Sequence, residues 1–70
     1  MMIAEVTRRF ESGCVAVNQI STECKAYHGG HGNDEMEKEH FINWCIEAFL
    51  YAPRHKDDLL TGISVEIIAE

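Results

Sequence analysis

The stretch Asp34–Ala52, DEMEKEHFINWCIEAFLYA, limits what this chain can become more than any other part of it. It holds the only Trp, two of the three Phe and one of the two Tyr. Its start is marked twice. Asn33 or Asp34 can cap a helix, and Asp34 with Glu37 has capping-box spacing, with Asp in place of Ser or Thr. Acids at 34, 35 and 37 lie where the positive end of a helix dipole favours them. Pro53 cannot continue a helix and pushes Ala52 out of the α region. A central helix is therefore predicted between these signals.

That helix is apolar on almost every side. Phe41, Cys45, Ala48 and Ala52 form one stripe, Ile42, Ile46 and Phe49 widen it, and Trp44, Leu50 and Tyr51 carry it round the back. Only Asn43 and Glu47 interrupt. A helix of this kind is normally buried on nearly all sides, yet a 70-residue chain has little else to cover it with. The residual apolar surface predicts association with a second copy or with another protein.

The two flanks each admit two readings. Over residues 3–28, Ile3, Val6, Phe10, Cys14, Val17, Ile20, Cys24 and Tyr27 recur at steps of three or four, which is helical spacing. The competing reading is a hairpin of Ile3–Phe10 and Cys14–Ile20 around Glu11-Ser12-Gly13. That register sets Phe10 opposite Cys14, Arg8 opposite Ala16 and Val6 opposite Asn18, with Val15 and Val17 facing Arg9 and Thr7. Faces so mixed specify register poorly, and the helix is preferred. Residues 57–70 show helical spacing at Leu59, Leu60, Ile63, Ile67 and Ile68, but Ile63, Val65 and Ile67 also alternate as in a strand, and Gly62 is poor inside a helix. The two choices are coupled, because a lone C-terminal strand needs an N-terminal partner. The fold expected is all-α: a long N-terminal helix, the central apolar helix and a short C-terminal helix, with Asp57 or Asp58 capping the last. The alternative is α+β, with an N-terminal hairpin, the central helix and a C-terminal strand. Between the flanks and the centre, HGGHGN (28–33) and PRHK (53–56) read as loops.

At this length the chain is one small domain over residues 1–70. No run of about eighteen apolar residues predicts a membrane helix. The N-terminus lacks a basic region followed by an apolar one, so a cytoplasmic location is expected. Three cysteines, at 14, 24 and 45, match no disulfide framework and read as buried small hydrophobes. The net charge of −6 is concentrated from residue 31 onward. A phosphate-binding surface requires the opposite sign, so direct nucleic-acid binding is disfavoured, although Arg8/Arg9 or Arg54–Lys56 could form a small basic spot. A helix-turn-helix built from the last two helices would bring Asp57, Asp58 and Glu66 towards a polyanion, which argues against DNA reading.

Four constellations bear on chemistry. Cys24, His28, His31 and His40 supply the ligand types zinc favours, but with no Cys-x2-Cys or His-x3-His pair the spacing is not specific. Glu37-x-x-His40 is half of a di-iron carboxylate motif and lacks an inward Glu on a second helix. Cys24 or Cys45 with a His would need a base within reach and an oxyanion donor, and no motif supplies them. The acidic set Asp34, Glu35, Glu37 and Glu39, with Glu47 further along, is either a solvated helix start or a docking face for a basic surface.

The functional expectation is therefore a small acidic, non-enzymatic protein-binding module without a cofactor, acting as a homodimer. Its contacts are expected from Asp34, Glu35, Glu37, Glu39, Trp44, Glu47, Leu50 and Tyr51, against a protein with a basic surface. By composition it resembles small regulators and inhibitors, including viral inhibitors of host nucleic-acid enzymes. The alternative is a zinc- or iron-binding helical domain using Cys24, His28, His31 and His40.

Overall fold

The computed structural model describes residues 1–30, 32–53 and 55–70. Strand β1 (Ile3–Phe10) and strand β2 (Val15–Ser21) form a hairpin, helix α1 (Asp34–Leu50) follows, and strand β3 (Leu60–Ala69) ends the chain. The sheet order is β2-β1-β3, with both neighbouring pairs antiparallel. The architecture is α+β, which overturns the all-α, three-helix expectation: the proposed long N-terminal helix is the hairpin, and the proposed C-terminal helix is β3. The helix-turn-helix reading goes with it.

The hairpin adopts the register that its mixed faces argued against. Arg8 pairs with Ala16, Val6 with Asn18, Thr7 with Val17 and Arg9 with Val15. The missing consideration is β3. It lays Ile67, Val65 and Ile63 beside Ala4, Val6 and Arg8, so the inner face of β1 is completed from the far side. Helix α1 packs on β1 and β3. The core is Ala4, Val6, Tyr27, Phe41 and Cys45, with Ile20, Cys24, Trp44, Phe49, Ile63, Val65 and Ile67 packed against it. Phe41, Val6 and Cys45 are sealed completely.

The turns are held by side chains that the helical reading had assigned elsewhere. Gly13 has φ +92, a conformation that favours glycine, in the hairpin loop. Asp58 does not cap a helix. Its carboxylate accepts from the Ser12 backbone N–H at 2.9 Å and from the Ser12 hydroxyl at 2.6 Å, tying the hairpin loop to the start of β3. Glu11 N–H reinforces this tie through the Leu59 carbonyl at 2.8 Å.

Arg8 is the unusual core member, only 7% exposed. Its guanidinium carbon lies 5.6 Å from the Phe10 ring centre and 5.8 Å from that of Phe49, and Nη1 donates to the Pro53 carbonyl at 3.5 Å. Its Nε is buried without a partner among the described residues. The last turn of α1 contains no basic residue, so Arg8 brings from the sheet the positive charge that a helix C-terminus favours. It is thus not part of a basic surface spot. The aliphatic stem and two aromatic faces do most of the stabilising. Arg8→Ala is expected to lower stability by about 2 kcal/mol, whereas Arg8→Met, which keeps the volume and removes the desolvated charge, should stay within about 1 kcal/mol of the parent. Urea denaturation of the two variants measures both.

Candidate interaction surface

The helix starts where the sequence places it. Asn33 is the N-cap, and its side-chain oxygen accepts from the Met36 N–H at 2.9 Å. Asp34 and Glu35 are exposed in the first turn. Glu37 is different. It is half-buried, accepts the Tyr27 hydroxyl on Oε2 and takes the Gly30 N–H on Oε1 at 2.6 Å. Gly30 has φ +89, which lets the loop turn its amide back onto that carboxylate.

Tyr27 is the residue whose role sequence reasoning missed. It is buried, with its ring edge-on to Phe41 at 5.0 Å and to Trp44 at 5.1 Å. Phe41 and Trp44 stack at 6.0 Å. The loop after β2 thereby covers the flank of α1 that the sheet does not reach. The available signal was a lone aromatic next to a glycine-rich segment, a few residues before a very apolar helix. Trp44 is consequently half-buried by its own chain. Leu50 and Tyr51 remain 36% and 81% exposed.

The outer side of α1 is a single ridge. Met36, Glu39, Asn43, Glu47 and Leu50 follow one another at steps of three or four residues, and all are exposed. Such spacing places them on one helix face. The ridge has apolar ends, two carboxylates between them and no base. The helix's own cation, Lys38, lies away from this ridge and pairs with Glu70 at 3.6 Å. Of the contact residues expected from sequence, Glu39, Glu47 and Leu50 share this ridge. Glu35 extends it towards the N-terminus, Tyr51 lies just beyond its C-terminal end, Asp34 is exposed on the other side of the helix start, and Glu37 and Trp44 face inward. A cleft of about 480 Å³ opens beside the helix start, between Tyr27, Asp34, Glu37, Glu70 and the first two methionines.

The metal ligands expected from sequence do not form a described set. Among the described residues no group of three or more His, Cys, Asp or Glu is placed to hold an ion. His31 lies outside the described residues. Cys24 packs against the core, His28 is exposed, and His40 tilts against the Tyr27 ring at 5.8 Å. Glu37 is engaged with Tyr27 and Gly30, so the Glu37–His40 half-motif has a local structural use. Among the cysteines, Cys14 is exposed, contrary to the expectation that all three are buried, and Cys24 is half-buried. Among the described residues no helix is long and apolar enough to cross a membrane.

Two buried acids give the region a pH signature. Burial pushes the Cys45 thiol from its ordinary value of 9.0 up to about 11, with Cys24 adding to the effect. Tyr27 is also raised, first by burial and then by its hydrogen bond to the Glu37 carboxylate and that group's charge. Each group holds its proton more tightly folded than unfolded, so stability is full below pH 9 and falls as pH rises towards 11 and beyond. The Cys45 part amounts to about 2–3 kcal/mol. Replacing Cys45 with Ala should flatten the decline in urea midpoint between pH 9 and pH 11. Separately, Tyr27→Phe removes a hydrogen bond to a charged acceptor and is expected to cost about 2 kcal/mol at pH 7, read by the same denaturation at that pH.

Comparison with protein-family models, with curated proteins and with solved structures finds no match for this chain.

Proposed function

We propose that the chain is a non-enzymatic protein-binding module of the regulator or inhibitor type, working as a homodimer, and that the outer ridge of α1 is its docking element. The observation that carries this reading is the ridge itself: Met36 and Leu50 as apolar ends, Glu39 and Glu47 between them, no base among them and all exposed. An exposed helix face with anchors at this spacing suits insertion into a groove on another protein. Its acids select a groove rimmed by Lys or Arg and speed the encounter. A partner that normally grips a polyanion, such as a nucleic-acid enzyme, has a surface of this kind, and the inhibitor reading follows from that chemistry. Tyr51 extends the apolar contact beyond the helix end. A cytoplasmic setting belongs to the same proposal.

The charge-reversal variant Glu35→Lys/Glu39→Lys/Glu47→Lys tests the reading, because none of the three side chains supports the core. Immobilised parent protein is expected to retain one or a few basic proteins from a cell extract and to release them at about 0.5 M salt, where screening is strong. The variant, with an unchanged circular dichroism spectrum, should retain none of them. Recovery of the same proteins by parent and variant would rule out the ridge as the docking element.

A further inference from the structure

Strand β2 is an edge, and its sequence does nothing to protect it. VAVNQIS carries no charge, no Pro and no Gly, which are devices by which exposed edges avoid pairing. The direction of its backbone groups follows from the bonds that bracket the hairpin. Phe10 N–H donates to the Cys14 carbonyl, and Thr22 N–H to the Met2 carbonyl, each at 3.0 Å. In an antiparallel ladder the hydrogen-bonded pairs alternate, so Cys14, Ala16, Asn18, Ile20 and Thr22 turn their backbone towards β1. Val15, Val17, Gln19 and Ser21 turn theirs outward. The Ser21 carbonyl takes the Cys24 N–H at 3.0 Å. The remaining outward groups of the row have no hydrogen-bond partner among the described residues. Val15 and Val17 are 57% and 55% exposed beside them.

We infer that β2 pairs antiparallel with β2 of a second copy, joining two three-stranded sheets into one of six. This rests on the homodimer part of the proposed function and names its interface. A second copy is the occupant because of charge and symmetry. Two chains of net charge −6 repel through most of their surface, but β2 brings no charge to the contact. With Asn18 on the two-fold axis, Val17 lies opposite the partner's Gln19, Val15 opposite the partner's Ser21, and Ala16 opposite the partner's Ile20. That register pairs the outward backbone of Val15, Val17, Gln19 and Ser21 with the same row of the second copy and sets Val15 beside Ser21 and Val17 beside Gln19 on the sheet face away from α1. The other edge is less suited, since β3 carries Glu66 and has α1 packed against it.

Sedimentation velocity and a register-specific cross-link test the inference together. The parent is expected to sediment as a dimer of twice 8.0 kDa. Gln19→Pro removes only an outward N–H, which an edge strand tolerates, and Val17→Lys adds like charges to the contact. Each should weaken self-association about tenfold or more without changing the circular dichroism spectrum. Leu50→Ser/Tyr51→Ser should leave the dimer intact. In a Cys14→Ser background, Asn18→Cys should cross-link on mild oxidation, because paired residues without hydrogen bonds sit about 4.5 Å apart at Cα, within disulfide reach. Val15→Cys in the same background should not cross-link. A dimer that survives both β2 substitutions, fails to cross-link at position 18 and dissociates with Leu50→Ser/Tyr51→Ser overturns this interface and leaves the homodimer reading standing. A parent that is monomeric at about 100 µM, a concentration at which even a micromolar complex is populated, overturns both.

Discussion

Everything in this molecule depends on β1 having partners on both edges. A two-stranded hairpin alone is at best marginal in water, and β1–β2 would be such a hairpin. Pairing with β3 turns it into a sheet with a face broad enough to accept a helix. The inward residues Ala4 and Val6 are then flanked by Ile20 on one side and Val65 and Ile67 on the other, and α1 closes over them with Phe41 and Cys45. Because β1 and β3 are far apart in sequence, the contact that makes the fold is also the one least visible locally.

The second constraint is the apolar girth of α1. The sheet covers one side of it. A short loop covers another, and that loop is fixed by Tyr27, which wedges its ring between Phe41 and Trp44 and binds its hydroxyl to Glu37. One acid of the first turn is thus committed to architecture, while its neighbours Asp34 and Glu35 stay in solvent. This division gives the helix two characters: an inner side where Glu37 is matched to the chain's own loop, and an outer side where Glu39 and Glu47 are exposed. The association surfaces proposed here are the parts of the chain for which the fold has no internal use.

Much of the central element was legible. The cap at Asn33, the acids behind it and the stop near Pro53 bracket a helix found at Asp34–Leu50. The flanks were not, for a specific reason. The three-and-four spacing of residues 3–28 comes from two strands and a loop that together counterfeit helical periodicity. In the structure Val6, Phe10, Ile20 and Tyr27 face inward, but Val17 and Cys14 are exposed. The hairpin register was readable pair by pair and looked poor because both faces mix polar and apolar residues, with Arg8 and Asn18 on the face of Val6 and Phe10, and Arg9 and Thr7 on that of Val15 and Val17; the hardest of these to place was Arg8. Its resolution, a guanidinium between Phe10 and Phe49 beneath the helix end, is tertiary and leaves no trace in the local pattern. Of the candidate contact residues, the exposed ones follow from helical spacing, whereas the inward turn of Glu37 and Trp44 depends on a loop residue that no periodicity marks.

The central role of β1 is open to direct measurement by native-state amide hydrogen exchange, resolved residue by residue. Residues 3–9 of β1 are paired with β2 on one side and β3 on the other, and freeing the strand requires both pairings to open. The amides of Ala4 to Arg8 are therefore predicted to be the slowest in the chain, exchanging only through global unfolding. Amides of α1 that outlast those of β1 would contradict this, and would place the stable centre of the molecule in the helix.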